Sequence, residues 1–274
     1  MKNRLLALVM VLTMVISLAA CGKAKDSDEQ DNDLYSNVDM TDLEYVLDKG
    51  TLVVGVSPFE PMIYMDENGK WTGFDAELAE GFAAYIGVEI RFVEIDWNNR
   101  IMELDSKSVD CLWCGMTLTD EVMNSLNTSN PYLNNSQVVV VRTEDADKYP
   151  DTASLQGLTF AVESGSSGQE MAEINNLSFV GLSDMTAAVD EVKSGNVDGA
   201  IIDSIMADTI IAGEGGSSEL TYILPLNDEK YVVGFRKDSD MASTANTYFR
   251  SAYDDGTIDD IAAKYGVSAA VIPH

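Results

Sequence analysis

The sequence predicts an α/β fold of two units, each a mainly parallel sheet with helices on its faces. Three observations point there. β-Branched runs recur along the chain, a helical apolar pattern follows most of them, and a loop rich in glycine and hydroxyl residues joins strand to helix in both halves. The 274 residues leave room for two modest domains, and 46% hydrophobic residues is ordinary for a folded chain.

Residues 1–20 read as an address. Lys2 and Arg4 form a basic start, residues 5–18 are apolar apart from Thr13 and Ser17, and Leu18-Ala19-Ala20-Cys21 followed by Gly22 resembles a bacterial lipobox. In that motif the Cys21 thiol is lipidated and becomes the first residue of the mature chain. Residues 21–42 are polar and acidic, which predicts a flexible tether. The expected location is extracytoplasmic, lipid-anchored to the cell membrane.

Charge narrows the partners. Removing residues 1–20 leaves 15 of the 17 basic residues against all 46 acids, a net charge of −31 in place of −29. Such a surface repels phosphate backbones, so no nucleic acid is expected as a partner. The one histidine is the last residue, His274, which removes histidine acid–base and metal-ligand chemistry from any internal site.

The folded part opens with a helical segment at 43–47 and a strand at 51–57. A turn at 66–69 precedes a helix over 75–85, with Leu78, Phe82 and Tyr85 as its apolar positions. A strand at 88–93, a helix at 98–104 and strands at 109–116 and 137–142 follow. A second unit begins near residue 153, with a strand at 158–162, a loop at 163–168 and a helix at 169–174. Then come a strand at 177–180, a helix at 185–194, a strand at 199–202 and a helix at 206–211. A last strand at 231–236 precedes two helices within 239–265, parted by Asp254-Asp255-Gly256. A site between two such units lies where strand C-termini meet helix N-termini.

Four stretches carry a resemblance across about residues 43–268. They are Thr51-Leu-Val-Val-Gly-Val-Ser57 with Phe59; Asn68-Gly-Lys-Trp-Thr-Gly-Phe-Asp75; Val109-Asp-Cys-Leu-Trp-Cys-Gly-Met-Thr-Leu-Thr119; and Gly195-Asn-Val-Asp-Gly-Ala-Ile-Ile-Asp203. In order and spacing they resemble the bacterial extracellular solute-binding proteins of family 3, the amino-acid-binding lipoproteins that feed ABC transporters. The resemblance implies a hinged, two-lobed periplasmic-binding-protein type II fold that binds one small molecule in its cleft. It places lobe 1 at 43–140 and 232–274, and lobe 2 at 141–231.

The resemblance also assigns roles. Phe59 and Trp97 match aromatics that lie on either side of the ligand, a slot that buries apolar groups or holds a cation against a ring face. A core aromatic is the plain alternative for each. Gly115 and Thr117 match positions that hold the ligand's α-ammonium and α-carboxylate, and Asp203 matches the lobe-2 carboxylate that pairs with the ammonium. The alternative for Asp203 is the N-cap of the helix after it. Ser166, Ser167 and Gly168, with Gly165, match the loop whose N–H groups at a helix start receive the carboxylate.

One position departs from the pattern. The family follows Gly-Met-Thr-x-Thr with an arginine three residues on, and this chain has Val122 there. Either Arg100 supplies the missing cation, or it is a solvated helix-face residue and the ligand is an amine without a free carboxylate.

Other features carry less. Cys111 and Cys114 are three apart on a strand and point to opposite faces, so they neither pair nor share a metal. The acidic pairs Asp254-Asp255 and Asp259-Asp260 lack the alternating ligands of a calcium loop. No metal and no cofactor are expected. The resulting expectation is a monomeric, non-enzymatic substrate-binding lipoprotein that hands a small amine or amino acid to an ABC permease. The rivals are a dehydratase-like enzyme using carboxylates such as Glu163 or Asp203, and a sensing lipoprotein.

Overall fold

The computed structural model describes residues 40–212 and 218–273. The expected signal segment, Cys21 and most of the expected tether lie outside the described residues. Among the described residues no helix is long and apolar enough to cross a membrane.

Helix α1 (Asp42–Lys49) starts from Thr41, whose hydroxyl accepts from the Glu44 N–H while Glu44 returns the bond, a capping box of about 1 kcal/mol. Thr41 and Asp42, expected in the tether of residues 21–42, therefore belong to the folded part. Asp42 also receives Arg236 Nε at 2.9 Å, which ties α1 to the segment after the last strand.

The first lobe continues with β1 (Thr51–Val56), the short hairpin β2 (Tyr64–Met65) and β3 (Trp71–Thr72), and α2 (Phe74–Ile86). It then runs through β4 (Glu89–Glu94), α3 (Arg100–Asp105), β5 (Cys111–Thr117), α4 (Asp120–Ser125), β6 (Asn127–Thr128) and β7 (Leu133–Asn135). The second lobe holds β8 (Gln137–Arg142), β9 (Thr159–Glu163), α5 (Ser167–Ile174), β10 (Ser178–Leu182), α6 (Met185–Lys193), β11 (Gly199–Asp203), α7 (Ser204–Ala212) and β12 (Leu220–Pro225). The chain then returns through β13 (Glu229–Phe235), α8 (Met241–Asp254) and α9 (Thr257–Lys264).

One sheet runs β4-β1-β5-β13-β6, with β7 on β13; the other runs β10-β9-β11-β8-β12. β8 pairs only within the second sheet, so the chain changes lobes at Ser136 and returns across residues 226–228, earlier in both cases than residues 140 and 231. The second unit accordingly begins at β8, not near residue 153.

Each sheet is mixed, where mainly parallel sheets were expected. β1, β4 and β5 are parallel, as are β9, β10 and β11. The strands that begin at a crossing, β8 and β13, run antiparallel to their neighbours. The register explains why: Gln137 lies opposite Asp203 and Tyr231 opposite Thr117, so each crossing strand starts where a parallel strand ends and runs outward.

The unbroken valine run of β8 serves two faces. Val138 and Val140 join an apolar cluster continuous with the first lobe, whereas Val139 and Val141 join a second cluster with Phe160, Val162 and Ile201. Alternating side chains on a strand covered on both sides need no polar partner, which is why the run is continuous.

Candidate functional site

Because the parallel strands of both sheets end toward the crossings, their last residues converge. Ser57 follows β1, Thr117 ends β5, Glu163 ends β9 and Asp203 ends β11; all four line one cavity of about 360 Å3 between the lobes.

Of the positions expected at the site, Phe59, Trp97, Arg100, Gly115, Thr117, Ser166, Ser167 and Asp203 lie on this wall. Gly168 does not. A Cβ there would sit 2.5 Å from the Ile201 carbonyl oxygen, so this glycine lets α5 pack closely on β11 and lies under the wall. Phe59 is buried, with its ring edge-on to Tyr231 at 6.1 Å between centroids. Trp97 is buried too, and the Arg100 guanidinium lies over its ring at 5.3 Å.

Arg100 is 6% exposed, which overturns the solvated helix-face reading. Its Nη1 donates to the Trp97 carbonyl at 3.1 Å and, across the cleft, to the Gly165 carbonyl at 2.9 Å. Nη2 pairs with Glu121 at 2.5 Å, and Nε is buried without a hydrogen-bond partner. Val122, at the departing position, is buried beside the cavity, and its N–H is held by the Thr119 hydroxyl at the start of α4.

Asp203 is buried at the end of β11. Its Oδ1 accepts from Asn135 Nδ2 and from the Tyr231 hydroxyl, each at 2.5 Å. Asn135 Oδ1 in turn receives the Ile205 N–H, so Asn135 supports the start of α7 while it orients Asp203.

Two residues that sequence reasoning missed as site members organise the wall. Glu163, weighed only as a carboxylate for the enzyme rival, accepts the Ser57 hydroxyl at 2.6 Å across the cleft. Glu229 Oε1 accepts from Thr117 at 2.9 Å, Asn135 at 2.6 Å and Gln137 at 2.9 Å, while Oε2 accepts from Ser167 at 2.7 Å and Asn227 at 3.0 Å. The hydroxyls of Thr117 and Ser167 are thus both spent on Glu229. Glu163 had the same signal that marked Asp203, an acid closing an apolar strand. Glu229 had none, because all its partners but Asn227 come from three distant parts of the chain.

The site is rich in carboxyl groups. Glu121, Glu163, Glu170, Glu173 and Asp203 line it, and Arg100 is the one lysine or arginine among the lining residues. Burial, with Ser57 pulling the other way, pushes the Glu163 carboxyl up to about 7. Burial, and next the Glu229 charge, drive Asp203 well above the carboxylate range. Glu170 rises for the same reasons, through burial and the nearby Asp120 and Glu121. Behind the wall, burial lifts Asp75 to about 7 although Tyr132 and the Gly115 N–H both donate to it. A cation entering here meets carboxyls that gain from ionising beside it.

Cys111 and Cys114 are free and buried, and burial raises both thiols far from reactivity. No group of three or more His, Cys, Asp or Glu among the described residues is arranged to hold a metal ion.

Two mixed sheets whose strand ends enclose a polar, acidic cavity between lobes define a ligand-binding clamp. The chain belongs to the bacterial extracellular solute-binding proteins, family 3, whose model matches residues 52–268. It is similar to the L-cystine-binding protein TcyA of Bacillus subtilis, 27% identical over 272 residues that cover 97% of each chain. Among solved structures it is similar to a mutant of ArgBP from T. maritima, with 31% identity and a TM-score of 0.76 over 82% of this chain and 98% of that one. It is also similar to an ABC uptake transporter substrate-binding protein from Streptococcus pneumoniae with bound histidine, with 26% identity and a TM-score of 0.78 over 84% and 98%.

Proposed function

We propose that this protein captures a small cation-bearing amino acid, or a close relative, for an ABC importer, and that it does so by closing its lobes over the ligand without turnover. The observation that carries the reading is the set of carboxyl groups in the cleft: five acidic side chains, able to ionise beside a cation, against Arg100 on one wall shared by both lobes. Such a wall favours an ammonium group, and a ligand that touches both lobes stabilises the shut form by its differential contacts. The family membership and the relatives named for cystine, arginine and histidine support the amino-acid class. Asp203 and Glu163 take the ammonium, Phe59 and Trp97 bound the side-chain slot, and the permease reads the closed shape. The mature chain works outside the cytoplasm as a monomer, held at the cell membrane by lipid on Cys21.

Calorimetric titration of the purified protein with L-arginine, L-histidine and L-cystine, each followed by chromatography of the bound fraction, tests this. The expected result is one-to-one binding of at least one of them, recovered unchanged. Loss of the amino group or another product would make the protein an enzyme, and no binding across the set would remove amino-acid capture.

A further inference from the structure

We infer that the side-on edge of the Arg100 guanidinium, Nε with Nη2, is the anion site of the cleft, and that Glu121 occupies it as a displaceable internal stand-in for a ligand carboxylate. The inference rests on the capture reading above and adds where the ligand's negative group binds.

The geometry is specific. Nε–H and the neighbouring Nη2–H point the same way and match the two oxygens of one carboxylate. Here Glu121 Oε2 takes Nη2 at 2.5 Å, while Nε has no partner and is shut away from water. Nη1 is held separately by the carbonyls of Trp97 and Gly165, so the edge keeps its aim whether or not Glu121 is present. The fork is therefore fixed, and only one of its two prongs is used.

The two partners differ in freedom. The Arg100 side chain is 8% exposed and clamped; the Glu121 side chain is 61% exposed and free to swing into solvent. A carboxylate that takes both prongs replaces a single bond with a pair, and satisfies the buried Nε–H that Glu121 leaves orphaned. Because Val122 has no charge, the anion site lies on α3 in place of the family position on α4. The ligand this defines is a zwitterion, with its anionic end at Arg100 and its ammonium at the acids of the wall. Glu121 sets a threshold: it penalises any ligand unable to displace it.

The test uses the full protein labelled with nitrogen-15 and sodium acetate as the probe, reading the Arg100 Nε–H resonance, which is assigned by its loss in Arg100→Lys. Acetate should shift this signal saturably, and Glu121→Gln should lower the acetate dissociation constant by about tenfold. Glu67→Gln, the same charge change at an exposed residue away from the cleft, should leave it unchanged. A response no different from that to sodium chloride, or equal tightening by both variants, overturns the inference. L-Arginine, L-histidine and L-cystine, titrated on the same signal, separate it from the capture reading. Binding of any of them with Arg100 Nε–H unmoved sinks the anion site and leaves capture standing. Saturation by acetate with none of the amino acids bound keeps the anion site and removes amino-acid capture.

Discussion

The Ser57 hydroxyl donates to Glu163 Oε1 at 2.6 Å, and this bond joins the end of β1 in one lobe to the end of β9 in the other. Both residues are buried, at 6% and 4% exposure, so the contact exists only while the lobes are shut against each other. It sits beside the Arg100 to Gly165 bond, which makes a second crossing. Closure in this protein is therefore tied to a carboxyl poised to change charge near neutral pH.

Stability should fall as pH rises. The folded carboxyls of Glu163 and Asp75 lie at about 7, above their ordinary values of 4.5 and 3.8, so the fold binds their protons more tightly than the unfolded chain does. That contribution is fully present below the unfolded values and is lost between about 4 and about 7, at ~1.4 kcal/mol for each pH unit that separates folded from unfolded value. Urea midpoints at pH 5 and pH 8 should differ by less in Glu163→Gln than in the parent. An unchanged difference would refute the assignment.

Ligand affinity should run the other way. An ammonium pairs with ionised Glu163, so capture of an amino acid below about pH 7 must expel the proton that burial has loaded there, and Asp203, raised by burial too, adds to the release. Calorimetry in buffers of different ionisation heat should record proton release at pH 6, and weaker affinity there than at pH 8. Proton uptake on binding would contradict it.

Replacing Asp203 by Asn keeps an acceptor for Asn135 and Tyr231 but removes the charge. A hydrogen bond to a charged group contributes ~1.5–3 kcal/mol, so the dissociation constant for the amino acid that binds should rise between about tenfold and a hundredfold. The unfolding midpoint should hold or increase, because a buried acid has been neutralised. Equal affinity would place the ammonium elsewhere.

Gly165 adopts φ +76, and a Cβ there would lie 2.9 Å from Asn98 Cα on the facing lobe. Gly165→Ala thus strains the loop and wedges the lobes apart at once. The amino acid that binds the parent should bind about tenfold more weakly, a loss of ~1.4 kcal/mol, and the bound protein should scatter with a larger radius than the parent. An unchanged radius and affinity would show that the two surfaces do not meet in the ligand-bound form.

The parts of this fold that were legible in the sequence are those with local causes. Helices α2, α6 and α8 and strands β1, β8, β9 and β11 carry their periodicity in consecutive residues. The strands β2, β3, β6 and β7 span two or three residues each, too few for a pattern, and form because β13 or a hairpin partner pairs with them. β12 ends in a proline and bulges between Tyr222 and Pro225, which blurs its alternation. Strand direction is hidden for the same non-local reason: β13 reads as any β-branched strand until it is placed against β5.

The site divides likewise. Asp203 and the 165–167 loop stand at strand–helix junctions, which sequence marks well, and both reached the cleft wall. Gly168 shares that loop, but one further residue carries it into α5 and under the wall. The burial of Arg100 was not legible, because its neighbours Trp97 and Gly165 lie on different lobes and only the closed fold covers it.

The most direct test of the acidic cleft is a thermal melt of the purified protein at pH 7.5 against the twenty amino acids and L-cystine, repeated with their α-N-acetyl forms. Capture of an α-ammonium predicts a melting temperature raised by several degrees for at least one free amino acid, as mass action requires of a ligand well above its dissociation constant, and no rise for its acetylated form. An equal rise with the acetylated form, or no rise with any compound, would contradict it.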